Sequence, residues 1–207
     1  MVHAAATREQ AARQFRDHLN HLLARTLTQT PLVQFTLLGR MNVAFRQGGV
    51  PARASLSTRF GRMALYIGQV LDFENQTAGR VRLMTVEYKY TLGPEASVEP
   101  LLRWEYVRTR PPGAHRQWCR HHLQGDVRLP LGDGVSLNDF HLPTGYVTIE
   151  EIIRFCIIDL AVEPLSNDWN AILDDSYEQF KRGFVATVTA KPPSGKKYRL
   201  RSKPHRR

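Results

Sequence analysis

A chain of 207 residues with 42% hydrophobic and 23% charged content is long enough for one well-buried core and too ordinary in composition for bulk disorder. Its greasiest run, Ile152 to Leu160, is broken by Arg154 and Asp159, so no membrane span is expected, and no basic start leads into an apolar stretch, so no secretory leader is expected either. The net charge of +10 sits at one end: from Lys191 onward there are eight Lys or Arg and no acid, while the other 21 basic residues face 19 acidic ones.

A cytoplasmic location is the expectation, with Cys119 and Cys156 as reduced core thiols. Thr7-Arg8-Glu9-Gln10 has the shape of a capping box and predicts a helix over 7–28. Ala12, Phe15, Leu19, Leu22, Leu23 and Leu27 give it one buried stripe, and Pro31 ends it. Its other face carries Arg16-Asp17-His18-Leu19-Asn20-His21, which resembles the Arg-Asp-x-x-x-His motif of HEPN ribonucleases. Those domains are all-helical, and the strand patterns that follow here favour an exposed helix side instead.

Val33, Phe35 and Leu37 alternate, as do Met41, Val43 and Phe45. Gly48-Gly49 supplies the positive-φ positions of a tight hairpin, and Val50 to Leu56 returns along the sheet. Met63 to Phe73 is a further strand, closed by the polar turn Asn75 to Gly79. Gly48-Gly49 lacks the Lys-Ser/Thr partner and following helix of a phosphate loop, which disfavours a mononucleotide-binding fold.

In Arg82 to Leu92 the apolar set is Met84, Val86, Tyr88, Tyr90 and Leu92, opposed by Thr85, Glu87, Lys89 and Thr91. Leu102, Trp104 and Tyr106 alternate with Arg103, Glu105 and Val107; Cys119, His121 and Leu123 alternate with Trp118, Arg120 and His122. A one-residue slip turns a whole strand over, so matching the apolar faces puts Tyr88, Trp104 and Cys119 beneath the sheet. Glu87, Lys89, Arg103, Glu105, Arg120 and His122 then share the other face. A solvated ladder of opposite charges is one reading of that face.

Catalysis is the other reading. The loop Leu129 to Gly134 reverses the chain, so the strand ending in Phe140-His141-Leu142 can return beside His122. His122 and His141, next to Glu105, suit general acid and base work, and Arg103 or Arg120 suits a phosphate clamp. No His-x-x-x-His or Cys-x-x-Cys spacing supports a metal, and no cofactor is expected.

Thr148-Ile149-Glu150-Glu151 is a second capping box, opening a helix over 148–162 in which Glu150 stands four residues before Arg154. Apolar residues on nearly every side of it imply burial between the sheet and another element. That element is a helix over 166–182, capped by Ser166 or Asn167, striped by Trp169, Ile172, Leu173, Tyr177 and Phe180, and closed by Lys181, Arg182 and Gly183. Phe184 to Val188 adds a short edge strand. The tail 191–207 is expected to be disordered, with Lys196, Lys197, Arg199 and Arg201 attracting nucleic-acid backbones in a salt-dependent way, or serving only solubility.

From Met84 to Leu160, the Trp/Tyr/Arg hairpin, the His-bearing strand and Pro143-Thr144-Gly145-Tyr146-Val147-Thr148-Ile149-Glu150-Glu151-Ile152 entering a helix resemble the TumE-like proteins of bacterial toxin–antitoxin pairs. The resemblance implies a small cytoplasmic toxin-like protein partnered by a DNA-binding antitoxin, and carries no catalytic set onto His122 or His141. The expected fold is a single α+β domain over 1–190, with an antiparallel, meander-like sheet of about six or seven strands over 32–142 and helices from both ends of the chain. The expected function is that of a toxin-like or defence-associated protein acting on or binding RNA or DNA. The alternatives are a protein-interaction subunit with a nucleic-acid-attracting tail, and a small-ligand pocket between sheet and helices.

Overall fold

Ala4, Ala5 and Ala6 are among the strongest helix formers, and they start the first helix earlier than the capping-box pattern predicts. In the computed structural model, which describes residues 2–75, 80–110, 112–113, 119–129, 135–139 and 142–187, α1 runs Val2–Thr26, so Thr7 lies inside it and is not its cap. The expected buried stripe forms: Ala12, Leu19, Leu22 and Leu23 are buried. Asn20 ties the helix to the sheet, accepting from the Leu32 amide at 2.7 Å and donating to its carbonyl at 3.1 Å.

The strands follow in chain order: β1 (Leu32–Leu37), β2 (Arg40–Gln47), β3 (Val50–Pro51), β4 (Ala54–Thr58), β5 (Gly61–Asn75), β6 (Arg80–Pro94), β7 (Leu102–Val107), β8 (His121–Gln124), β9 (Arg128–Leu129), β10 (Val135–Ser136), β11 (Leu142–Pro143) and β12 (Val185–Thr187). Seven of them lie side by side in the order β1-β2-β5-β6-β7-β8-β11, every neighbouring pair antiparallel. β3, β4 and β12 pair with β2, β5 and β6, and β9 and β10 form a separate pair. This is the expected α+β meander. The strand expected over Val50 to Leu56 is divided between β3 and β4. The one expected over 117–124 begins only at His121, and residues 114–118 and 191–207 lie outside the described residues.

α2 (Ile149–Ile158) and α3 (Trp169–Arg182) complete the core. The Thr148 capping box is made in full: the Thr148 amide donates to Glu151 at 2.6 Å and the Glu151 amide donates to Thr148 Oγ1 at 3.3 Å. α3 begins later than expected, at Trp169, with Asp168 as its cap residue; Ser166 instead donates to the Asp168 carboxylate. One hydrophobic cluster joins Leu22 and Leu23 of α1, Phe45, Ile67 and Tyr90 of the sheet, Ile152 and Cys156 of α2 and Leu173 of α3. Burial pushes the Cys156 thiol up to about 12, as befits an inert core residue, whereas Cys119 is only half-buried. Ile158 is exposed, so α2 is covered on fewer sides than its composition suggests.

The largest departure from the expected pattern is in β6. Val70 pairs with Glu87 and Leu71 with Thr85, so Val86 is an extra residue, a β-bulge. Side-chain parity changes there. Tyr88, Tyr90 and Leu92 face the helices as expected, but on the other side of the bulge it is Val81, Leu83 and Thr85 that do so, rather than Met84.

Two hairpins turn through left-handed backbone. Gly48-Gly49 does so at φ 58° and 83°, as expected. The β1–β2 turn does so at Leu38 (φ 50°) and Gly39 (φ 73°), and Leu38 is 93% exposed. A leucine gains nothing from that position and is strained by it, whereas Asn-Gly is the favoured pair for such a turn. Leu38→Asn is expected to stabilise the fold by about 0.5–1 kcal/mol, read as a higher urea midpoint at unchanged slope. A lower midpoint would mean that the leucine contributes packing.

Candidate active site on the open sheet face

Strand register assembles the site. Phe35 pairs with Asn42, Ala44 with Gly68, Gly68 with Lys89, Lys89 with Glu105, Glu105 with His122, and His122 with Pro143. These residues therefore share the face opposite Tyr88, Tyr90 and Tyr106, which are buried with the helices. Glu87, Lys89, Arg103, Glu105 and His122 occupy the face on which they are expected.

Glu105 is the centre of the cluster. His122 Nε2 lies 3.2 Å from Glu105 Oε2, Lys89 Nζ 3.2 Å from Oε1, and Arg103 Nε 3.7 Å from Oε2. Arg103 also donates to Gln124 Oε1 at 2.7 Å. Burial by itself would raise the Glu105 carboxyl, but the His122 hydrogen bond and the charges of Lys89 and Arg103 outweigh it and hold the group at about 2. A carboxylate only accepts, so His122 Nε2 carries a proton and donates. Glu105 is thus a permanent counter-ion that orients His122, and it does not carry protons near neutral pH.

Other expected members are more loosely connected. His122 is only 6% exposed, so the imidazole lies beneath the polar surface. Arg120 is exposed and precedes β8, its carbonyl accepting from the Val107 amide at 3.1 Å. Burial, then Arg120, then His122 lower the pKa of His121, which faces the helices and stacks on Tyr106 at 4.4 Å. The chain returns beside β8 as expected, Leu142 against Leu123 and Pro143 against His122. His141, Lys196, Lys197, Arg199 and Arg201 lie outside the described residues. Among the described residues, no three His, Cys, Asp or Glu side chains converge on a metal position.

The same face extends across β1, β2 and β5, where the sequence reading assigned no site residues. Arg46 lies over the Phe35 ring at 4.1 Å, and Arg40 pairs with Glu87 at 2.5 Å. Gly68 lets the Tyr66 ring lie across the sheet: a Cβ there would come within 2.7 Å of the Tyr66 hydroxyl oxygen. The apolar alternation of β1, Val33, Phe35 and Leu37, lies on this open face, with Leu32 instead buried in the core, and Arg40 and Arg46 share the face because they alternate with Met41, Val43 and Phe45.

A carboxylate held below its ordinary value stabilises the fold fully above that value, 4.5, and loses the contribution as pH falls toward about 2. Discounted for partial exposure, the loss is on the order of 1–2 kcal/mol. Glu105→Gln should lack this component, so the stability gap between wild type and variant should narrow between pH 4.5 and 2; a constant gap would refute the ion-pair account. Comparison with protein-family models, with curated proteins and with solved structures finds no match for this chain.

Proposed function

We propose that the chain binds single-stranded nucleic acid on the open face of its sheet, with the basic residues beyond 190 adding backbone attraction. The observation that carries this reading is the mixture on that face. Phe35 and Tyr66 supply rings, Arg46 supplies charge over Phe35, and the nearby acids Glu87 and Glu105 are already paired, Glu87 with Arg40 and Glu105 with Lys89 and Arg103. Flexible strands present their bases to aromatic platforms, and cationic residues follow the phosphates.

In the catalytic extension of this reading, His122 and His141 share base and acid roles, Arg103 or Arg120 neutralises the phosphate, and Glu105 orients His122. The TumE-like resemblance adds a cytoplasmic, toxin-like setting and a DNA-binding antitoxin as partner. A second reading is favoured by β1: Val33 and Leu37, 38% and 55% exposed, make its outer side apolar. In that reading the face docks a protein, and the tail alone attracts nucleic acid.

Anisotropy titrations of a labelled 15-residue oligonucleotide, over a salt series, separate these readings. The chain ending at Ala190 should still bind, with a shallower salt slope than the full chain. A Phe35→Ala/Tyr66→Ala double variant should bind about tenfold more weakly. Loss of all binding at the Ala190 truncation would overturn face binding in favour of the tail. Cleavage that vanishes in His122→Ala/His141→Ala would support the catalytic extension, and cleavage unchanged in that variant would remove it.

A further inference from the structure

The bulge that turns Thr85 inward starts a line of polar groups between sheet and helices. Thr85 Oγ1 donates to Gln69 Oε1 at 3.1 Å, and Gln69 Nε2 donates to the Tyr90 hydroxyl at 2.8 Å. A second line comes from the helices: Ser176 Oγ of α3 donates to Glu150 Oε1 of α2 at 2.6 Å, and His18 Nε2 of α1 lies 3.1 Å from the same Ser176 oxygen. Both lines border a cavity of about 250 Å³, walled by the rings of Phe15, Tyr146, Phe180 and Phe184.

Glu150 is the unusual member. The sequence places it four residues before Arg154, as an ordinary surface pair, but Arg154 pairs with Asp174 at 2.8 Å and Glu150 turns inward, 4% exposed. Among the described residues Ser176 is its one hydrogen-bond partner, and it makes no ion pair. Ser176 has a single hydroxyl proton, which goes to the carboxylate, so His18 must donate through Nε2. Burial, reinforced by the charge of His21, lowers the His18 pKa, so His18 brings no compensating charge at neutral pH. Arg82, at the cavity wall, lies against Gly183 and forms no ion pair with Glu150. Glu150 lies in the first turn of α2, whose amide dipole favours an acid, and with Ser176 as its one hydroxyl donor its carboxyl group keeps acceptor capacity at the cavity wall, where an ammonium can donate to it.

We propose that this cavity binds a small organic cation, an amine on a compact aromatic or aliphatic body, with its ammonium on Glu150 and its body against Phe15, Tyr146 and Phe180. The chemistry matches on both counts: the acid is the cavity's buried charge, and aromatic walls hold apolar groups and attract cations across their faces. The volume lies just below the range of drug-sized pockets, which selects a molecule smaller than a drug. The site is on the opposite side of the sheet from the nucleic-acid face and does not depend on that reading.

Calorimetric titration of the full chain with 2-phenylethylamine, and in parallel with 2-phenylethanol, tests the proposal. The amine should bind at least tenfold more tightly than the alcohol, and Glu150→Gln should abolish that preference. Replacing a buried carboxylate by its neutral isostere is not expected to unfold the chain. Should that variant fail to fold, hydrogen exchange of the wild-type chain replaces it: saturating amine should slow exchange in the first turn of α2 and around Ser176. Equal affinity for amine and alcohol, no binding at millimolar amine, a preference retained in Glu150→Gln, or protection elsewhere would each overturn the assignment.

Discussion

One extra residue in β6 decides which side chains each face of the sheet receives. Opposite Val70 and Leu71 the strand spends Val86 without a partner, and inward and outward positions exchange from there to Arg80. Without that slip Thr85 would point away from the helices, Met84 would take its place, and the line from Thr85 through Gln69 to Tyr90 would not exist. The hydrophobic core tolerates the change because Leu83 and Val81 take up burial on the other side of the bulge.

The two faces handle charge in opposite ways. On the open side, Glu105 is surrounded by an imidazole, an ammonium and a guanidinium, and their combined attraction exceeds the desolvation that burial imposes. On the helix side, Glu150 is more deeply buried and has a hydroxyl as its partner. A carboxylate of the first kind is satisfied within the fold and rigidifies three strands. One of the second kind keeps acceptor capacity at the wall of a cavity, which is the condition for recognising something from outside.

Much of this arrangement was legible from alternation. Strands β6 to β8 are each apolar on one side, so a one-residue slip would expose Tyr88, Tyr90 and Trp104, and the parity that puts Lys89, Glu105 and His122 together follows from that cost. The α2 capping box was legible because both of its hydrogen bonds are local. The bulge was not, because Met84 and Val86 continue the apolar alternation without a compositional mark. Glu150 was not, because its first-turn position suits an acid whether it faces water or not. Ser176 is not marked in the sequence because a serine among the apolar stripe of α3 suits a buried or an exposed position equally, and the capping pattern at Thr7 yields to the helix propensity of Ala4, Ala5 and Ala6 before it.

The burial of Cys156 has a practical consequence for following the molecule in solution. Its thiol is enclosed beneath α2 and its thiolate is strongly disfavoured, whereas Cys119 is half-buried on the approach to β8. A thiol-directed reagent therefore meets two sites with different accessibility. Modification of Cys119 registers motion near the β8 edge, and modification of Cys156 waits for α2 to leave the sheet, so the order and spacing of the two alkylation events time the detachment of that helix without any added label.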